Sequence, residues 1–258
     1  MVANKEDREE GWASRTIIGI PFESPHHLTS LMLDQPDMPG THDLAVERKL
    51  FKIRMADTEG RRNSASVLIK KMYAWRGYNV ASAGQKQPNR ITLVASHEDT
   101  PMATISVGFD SDIGLLVDDL YKAEIDPLRE AGHRICEFTK LAVDGAIRSK
   151  RVLGSLFHIA YIYARRIQNY SDLLIEINPR HVKFYEKMLG FVQYGPEKIN
   201  HRVNAPAILL RLEFAYAQEQ IGIYGGHAEL GKTEKSLYPY FFSVAEEVGI
   251  AGRLNRLS

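Results

Sequence analysis

The sequence predicts an α/β (α+β) fold, in which strands and helices follow one another along the chain. Three observations favour this class. Short apolar runs bounded by turn residues alternate with longer segments whose apolar residues recur at helical spacing. The runs 90–96 and 102–107 are separated by a short polar link, which is typical of an antiparallel hairpin. The composition, 44% hydrophobic and 25% charged, is that of a globular protein.

The chain of 258 residues is long enough for one domain of ordinary size with extensions. We predict a polar N-terminal arm at 1–45, a folded domain at 46–216 and a C-terminal extension at 217–258. Within the arm, the short apolar segment 17–20 is expected to dock on the domain. Within the extension, the aromatic run 237–242 is expected to dock as well.

Charge and hydropathy exclude several classes of protein. The net charge of +1 predicts no bulk attraction to nucleic acid. The sequence has no apolar run near the ~20 residues of a membrane span, and its N-terminus lacks the apolar core of a signal peptide. The single cysteine, Cys136, lies in an apolar context and is expected to be a buried thiol. We therefore expect a cytoplasmic protein without a membrane span.

The first half of the folded domain is predicted to contain a strand, a helix, the hairpin and a second helix. Residues 50–55 alternate between apolar and polar side chains, which predicts a strand. A helix is expected from a cap at residue 57 or 58 to about residue 76, because its apolar residues form a stripe. The second helix is expected within 115–132, and Pro127 should break or restart it because proline lacks a backbone N–H.

The second half is predicted to contain three strands and two helices. Asn178 is a good N-cap for the short helix, Pro179 suits its first turn, and Gly190 predicts its end. The predicted elements are a strand at 135–143, a long helix at about 148–168, a strand at 173–177, a short helix ending at 189, a strand from 191, a loop at 195–204 and a strand at 207–214.

This order of elements, together with the run from Asn178 through Tyr185 to Gly190-Phe191, resembles the GNAT acyltransferase fold. The resemblance covers about residues 46–216. It implies a mixed, mostly antiparallel central sheet that is flanked by helices. It implies that two central strands, one at 135–143 and one starting at Asp172, splay apart and leave a V-shaped cleft for an acyl donor. It also implies that the helix after the first of these strands receives phosphate groups of the donor at its N-terminus.

The N-terminus of that helix departs from the pattern of most CoA-using members, Arg/Gln-x-x-Gly-x-Gly/Ala. Arg148 matches the pattern, whereas Arg151 and Leu153 occupy the glycine positions, where glycine would let the backbone approach a pyrophosphate. The departure favours relatives that take acyl groups from acyl carrier protein, namely acyl-homoserine-lactone synthases and long-chain N-acyl amino acid synthases. The runs 139–144, 178–182 and 202–207 resemble the N-acyl amino acid synthases more closely.

The resemblance implies an N-acyltransferase that moves a long-chain acyl group from acyl carrier protein to the α-amine of an amino acid. The donor would be the acyl-phosphopantetheine of the carrier protein, or acyl-CoA, and neither a bound cofactor nor a metal is expected. One alternative is an N-acetyltransferase that depends on acyl-CoA or acetyl-CoA. Another is a non-catalytic GNAT-like binding domain.

Such a reaction needs a group that removes a proton from the acceptor ammonium, and a carboxylate beside the cleft can do so. Glu137 is the first candidate, because carboxylates are uncommon in the middle of buried apolar strands. The alternative is a structural pair with a core arginine or lysine, such as Lys140. Glu176, in the adjacent strand, is the second candidate. Tyr185 matches the tyrosine that protonates the leaving thiolate in many GNAT enzymes, and is otherwise a core aromatic residue.

The resemblance implies three further groups of site residues. Backbone N–H groups of one strand would bind the thioester, positive side chains would steer an acidic carrier protein, and an asparagine would bond the pantetheine amides unless it is only a helix cap. The donor-binding candidates are Leu141, Ala142, Val143, Arg148, Lys150, Arg151 and Asn178. The substrate-binding candidates are Arg54, Arg76, Lys140 and Arg202, and the three arginines among them are the candidates for binding the amino acid carboxylate.

Overall fold

The computed structural model describes four ranges of the chain, which are residues 16–22, 49–74, 89–144 and 149–256. Three predictions fall on residues outside these ranges. They concern most of the arm at 1–45, the carboxylate-binding candidate Arg76 and the donor-binding candidate Arg148.

A mixed sheet of nine strands forms the centre of the described structure. Neighbouring strands run antiparallel except β5 and β6, which are parallel. Their order is β1-β2-β3-β4-β5-β6-β9-β7, and β8 also pairs with β9. The strands are β1 Ile18–Phe22, β2 Lys49–Met55, β3 Arg90–His97, β4 Thr100–Phe109, β5 Ile135–Val143, β6 Asp172–Ile177, β7 Val192–Gln193, β8 Lys198–Asn200 and β9 Ala205–Glu213.

Within the four described ranges, six α-helices cover both faces of this sheet. Two of them, α1 and α2, lie on one face, which we call the α2 face, and the others lie on the opposite face, the α3 face. The helices are α1 Glu59–Ala74, α2 Asp118–Glu130, α3 Lys150–Tyr161, α4 Val182–Leu189, α5 Phe214–Tyr224 and α6 Val244–Asn255. The predicted fold class, a mostly antiparallel sheet flanked by helices, is therefore confirmed.

The larger hydrophobic core lies between the sheet and the α3 face. The helix α3 is buried along almost its whole length, because its apolar side chains face both the sheet and the C-terminal extension. Cys136 is completely buried in this core as a free thiol, as predicted. Burial of these apolar side chains is the main stabilising contribution to the fold.

The two central parallel strands part soon after they begin. β5 pairs with β6 over only three residues, from Ile135 to Glu137, although β5 continues to Val143. On its other side β5 stays paired with β4, but the register shifts at residues 140 and 141, which indicates a bulge. Lys140 has φ 53° there, in the left-handed region. The splayed cleft that the resemblance implied is present.

The C-terminal extension packs on the α3 face. The backbone N–H of Leu237 donates to the carbonyl of Met188 at 2.9 Å, and the hydroxyl of Tyr238 donates to the carbonyl of Leu189 at 2.7 Å. The ring of Phe241 stacks on His158 with centroids 4.7 Å apart. The prediction that the run 237–242 docks is confirmed, and its residues join the larger core.

Three predicted details differ in the structure. Pro127 lies inside α2 without breaking it, and the irregular residue of that helix is the completely buried Tyr121. The segment 195–204, expected to be a loop, contains β8. The predicted long helix is α3 followed by a π-helical turn at Ile162–Ile167.

The docking segment at 17–20 lies in or beside the edge strand β1.

Candidate active site

The β5 side of the gap carries a buried ion pair on the α2 face. Glu137 is completely buried, and one of its oxygens accepts a hydrogen bond from the guanidinium of Arg90 on β3. Its other oxygen accepts from the backbone N–H of Val117, 3.1 Å away, at the start of α2. The pair crosses over Gly108, which lies between them on β4. A side chain at Gly108 would put its Cβ 2.7 Å from Glu137 Oε1.

Lys140 lies at the bulge, next to this pair. Its side chain is half-buried, and among the described residues no carboxylate forms an ion pair with its ammonium. Burial, and to a smaller extent the nearby Arg90, lower the pKa of Lys140 below its usual value. Arg90, Glu137 and Lys140 together carry a formal charge of +1, so this side of the gap favours an anion.

The β6 side of the gap carries a second carboxylate, Glu176. It accepts hydrogen bonds from the side chain of Asn200 and, at 3.3 Å, from Arg202. Burial raises the pKa of Glu176 above its usual value, in spite of the opposing effects of these two donors. Its side chain keeps 12% of its surface exposed, whereas that of Glu137 has none.

Tyr185 lies on the other face of the sheet from Glu137. Tyr185 belongs to the larger core, and its ring packs edge-on against the rings of Phe157 and Phe191. The ring centroids are 6.5 Å apart for Phe157 and 5.6 Å apart for Phe191. Phe157 in turn stacks on Phe138 of β5. An aromatic cluster thus lines the gap on the α3 face, while the charged groups line it on the α2 face. The point where β5 and β6 part lies between these two sets of side chains.

The N-terminus of α3 stands at the mouth of the gap. Ser149 caps this helix by accepting a hydrogen bond from the N–H of Val152. The ammonium of Lys150 lies 5.8 Å from the ring centroid of Tyr240. Burial and the neighbouring Lys235 lower the pKa of Lys150. With the exposed Arg151, these side chains make a positive patch, which we call the Lys150 patch and which consists of Lys150, Arg151 and Lys235. Glu234 also lies within electrostatic range of Lys150, so the formal charge of the patch together with Glu234 is +2.

The structure brings some predicted site residues together and separates others. Leu141, Ala142 and Val143 border the gap beyond the last β5–β6 pair. Asn178 caps the 3-10 turn before α4 by accepting from the N–H of Arg180 at 3.2 Å. Arg54 lies on β2, three strands away from β5, and its guanidinium contacts Asp99 at 3.5 Å. The structure therefore does not bring Arg54 to the gap.

Sequence reasoning missed Arg90. The alternative reading of Glu137, a pair with a core cation, named Lys140, but the partner is Arg90 on a strand two places away. The hairpin contains one local indication of this pair, because Arg90 at the start of β3 is paired with Gly108 of β4, which has no side chain to cover it. Only the pairing of β4 with β5 brings that arginine to Glu137, and this pairing joins residues far apart in sequence.

Comparison with known proteins identifies the family. Residues 64–213, more than half of the chain, match the family model described as the N-acyl amino acid synthase FeeM. The chain belongs to the FeeM family of N-acyl amino acid synthases. The FeeM-family match ends at the last residue of β9, so α5, α6 and the turns between them lie beyond it. No curated protein matches the sequence.

The chain is also similar to solved structures. The structure of FeeM, an N-acyl amino acid synthase from uncultured soil microbes, is 27% identical and covers 66% of this chain and 95% of its own, with a TM-score of 0.61. The acyl-homoserine-lactone synthase LasI is 12% identical, covers 64% of this chain and 90% of its own, and has a TM-score of 0.48. A putative N-acetyltransferase from Lactobacillus plantarum is 14% identical over 63% of this chain and 97% of its own, with a TM-score of 0.47.

Membership of the FeeM family makes the protein an acyltransferase. Among the described residues, no helix is long and apolar enough to cross a membrane. Within the same ranges, no group of three or more histidine, cysteine, aspartate or glutamate side chains has the arrangement of a metal site.

Proposed function

We propose that this FeeM-family protein transfers an acyl group from the phosphopantetheine arm of acyl carrier protein to the α-amine of an amino acid in the cytoplasm. The single observation that carries the proposal is the gap between β5 and β6, which begins after Glu137 and lies between an aromatic cluster on one face and charged groups on the other. A thioester in this gap would be reachable by an acceptor on the α2 face.

The donor arm would lie against β5. Beyond Glu137 the edge of β5 that faced β6 has no strand beside it in the described structure, so its backbone groups can bond the arm. The N–H groups of Leu141 to Val143 follow the bulge at Lys140, and there they would stabilise the oxyanion of the tetrahedral intermediate. Asn178 lies on the opposite side of the mouth, at the end of β6, where it would bond the pantetheine amides.

The carboxylate of the amino acid would bind to Lys140. This ammonium is half-buried and, within the described ranges, forms no ion pair, so a substrate carboxylate would compensate its charge. Arg202, which lies on the β6 side, would contribute a second cation. An acceptor held by Lys140 through its carboxylate would place its amine over the gap.

The reaction forms one C–N bond and breaks one C–S bond. The acceptor ammonium first gives a proton to a carboxylate at the gap, Glu137 or Glu176, and the free amine then attacks the thioester carbonyl. Collapse of the intermediate expels the thiolate, and the nitrogen loses its second proton. The thiolate takes up a proton from Tyr185, which we assign as the donor, and leaves as a free thiol. The second proton from the nitrogen returns through water to the Tyr185 oxygen, so the tyrosine is regenerated.

Two features support carrier protein over CoA as the donor. Arg151 and Leu153 replace the glycines that would allow a pyrophosphate close to the backbone of α3. The Lys150 patch at the mouth of the gap is positive, which suits the acidic surface of a carrier protein. The phosphopantetheine arm has a single phosphodiester, so it does not need the missing glycines.

The test is an assay of the purified protein with acyl carrier protein and with CoA carrying the same long acyl chain. Each donor is mixed with each of the common amino acids, and the release of free thiol is followed. We expect release that depends on the amino acid, with kcat/KM at least ~10-fold higher for the carrier-protein donor. Mass spectrometry of lipids from overproducing cells should show amide-linked acyl amino acids. Thiol release that occurs only with acyl-CoA, or without any amino acid, would contradict the proposal.

A further inference from the structure

Two carboxylates lie on neighbouring strands at the gap, and they differ in their position relative to the point where the strands part. Glu137 lies opposite Leu174 in the last paired position of β5 and β6. Glu176 is two residues further along β6, on the same face of the sheet but past the point where the strands part. Glu137 therefore lies where the sheet is still closed, and Glu176 lies where it is open.

Both carboxylate oxygens of Glu137 are occupied by hydrogen bonds within the protein. It has no exposed surface, and each of its oxygens already accepts a hydrogen bond, one from Arg90 and one from the N–H of Val117. Gly108 beneath it leaves no free space, since a Cβ there would lie 2.7 Å from its oxygen. A substrate ammonium cannot reach this carboxylate without breaking the ion pair, and that would leave a buried charge unpaired.

Glu176 has the access that Glu137 lacks. Part of its side chain is exposed, and its known donors are the amide of Asn200 and the long contact from Arg202. An ionised carboxylate can accept about four hydrogen bonds, so capacity remains for an ammonium. Burial also raises the pKa of Glu176, which makes it a stronger proton acceptor than an exposed glutamate.

We propose that Glu176 is the residue that takes the proton from the acceptor ammonium, and that Glu137 is a positioning residue that fixes Arg90 and the start of α2. The inference rests on the proposed function, because it assigns one step of that reaction. The proton passes from the acceptor nitrogen to a carboxylate oxygen of Glu176 and from there to water, so the carboxylate is regenerated in each turnover.

Several groups around Glu176 affect its titration. Arg202 and the amide of Asn200 favour the ionised form, whereas Glu137 and Asp119 oppose it. Tyr121 of α2 also lies within electrostatic range of Glu176. Since burial outweighs the favourable contacts, the acidic limb of the pH–rate profile should lie above the pKa of an ordinary glutamate.

The first test compares Glu176→Gln with Glu137→Gln. Glu176→Gln should lower kcat by ~10²-fold or more, with the KM for the amino acid within about threefold of wild type, and should remove the acidic limb of the kcat profile. Glu137→Gln should keep that limb, whatever it costs in stability or rate. Glu219→Gln changes an exposed glutamate of α5 and serves as the matched control.

The second test bypasses the proton transfer. Aminooxyacetate carries a carboxylate, and its amine is already neutral near pH 7, so it needs no base before attack. With this acceptor, the defect of Glu176→Gln should shrink to about tenfold or less, while a merely structural defect would stay the same with both acceptors.

Two outcomes would overturn the assignment of Glu176. They are turnover by Glu176→Gln within about threefold of wild type, and loss of the acidic limb in Glu137→Gln but not in Glu176→Gln. Failure of the wild-type protein to acylate any amino acid from either donor would instead refute the proposed function, so the two failures are distinguishable.

Discussion

A single side chain, Arg90, connects four elements around the gap. It starts β3, its guanidinium bonds Thr139 and Glu137 on β5, and the pair passes over Gly108 on β4. Through Glu137 it also reaches Val117 at the start of α2. Removing one partner of such a buried pair costs about 3–5 kcal/mol, because the other charge is left uncompensated. Arg90 therefore fixes the shape of the β5 side of the gap.

The space above Gly108 can be tested by Gly108→Ala. The added Cβ would lie 2.7 Å from Glu137 Oε1 and 3.0 Å from Arg90 Nη2, so the ion pair would have to shift. We expect a loss of about 1–3 kcal/mol in the free energy of unfolding, measured by urea denaturation.

Gly60→Ala is the matched control for that measurement. A Cβ at Gly60 in α1 meets no atom within 4 Å, and alanine favours helix, so stability should rise by up to about 1 kcal/mol. If Gly108→Ala were as stable as wild type, the Arg90–Glu137 ion pair could accommodate the added methyl group, and the prediction would be wrong.

The lowered pKa of Lys140 predicts how the binding of the acceptor amino acid depends on pH. A substrate carboxylate needs the charged ammonium, and the lowered pKa of Lys140 means that this charge is lost at a lower pH than for an exposed lysine. The KM for the amino acid should therefore rise as the pH increases through that lowered value. Lys140→Arg keeps its charge and should abolish the rise. Lys140→Met should raise the KM at pH values below the pKa of Lys140, and its KM should approach that of wild type above that pKa. An unchanged KM in Lys140→Met below that pKa would exclude the residue from acceptor binding.

At the scale of elements, the C-terminal extension supports α3 and α4 together. Leu237 and Tyr238 bond to the end of α4, and Gly154 of α3 lies so close to this segment that a Cβ would be 3.1 Å from Tyr240 Cβ. His158 of α3 is completely buried, and it accepts a hydrogen bond from the N–H of Phe242 at 2.8 Å. The extension, although outside the family match, is part of the packing that holds the aromatic side of the gap.

Phe241→Ala tests this role. Phe241 is 5% exposed and stacks on His158, so its truncation should cost about 3–5 kcal/mol in the free energy of unfolding. Val248→Ala on α6 removes an apolar side chain that is 72% exposed and should change stability by no more than about 0.5 kcal/mol. Denaturant titration of both variants measures the difference. A similar small effect of the two would mean that the extension adds little to the core.

The elements differ in how well the sequence predicts them. The apolar runs of β5 and β6 and the capped helix after Asn178 are local patterns, and the structure has them at the expected places. β8 is not visible locally, because it depends on pairing with β9. The local pattern at Pro127 likewise does not show that α2 continues through this residue. Within the site, the carboxylates are local features, but the Arg90–Glu137 pair depends on the sheet.

At the scale of the whole molecule, charge is distributed unevenly. The overall charge is only +1, yet the mouth of the gap carries the Lys150 patch, and the α2 face carries the paired charges around Glu137 and Glu176. A local positive patch on a nearly neutral molecule can steer an acidic protein without general attraction to polyanions. The large donor and the small acceptor would thus approach from different faces.

Charge reversal in the Lys150 patch tests the docking of the carrier protein. Lys235→Glu should raise the KM for acyl carrier protein several-fold and weaken its dependence on salt, because an exposed charge acts mainly on association. The KM for the neutral donor acyl-pantetheine should not change. Lys122→Glu, an exposed lysine on the opposite face, is the control. Equal effects of Lys235→Glu on both donors would point away from carrier-protein docking.

The early end of the β5–β6 pairing has a consequence for the behaviour of the molecule between turnovers. A sheet that opens in its middle has two additional edges, and exposed edges attract foreign strands because their backbone groups seek partners. The bulge at Lys140 twists the edge of β5, and the charged side chains of Glu176 and Arg202 lie beside the edge of β6. Bulges and charged side chains at strand edges are two features by which natural sheets prevent pairing with other chains. The features that would bind substrates thus also protect the empty protein from self-association.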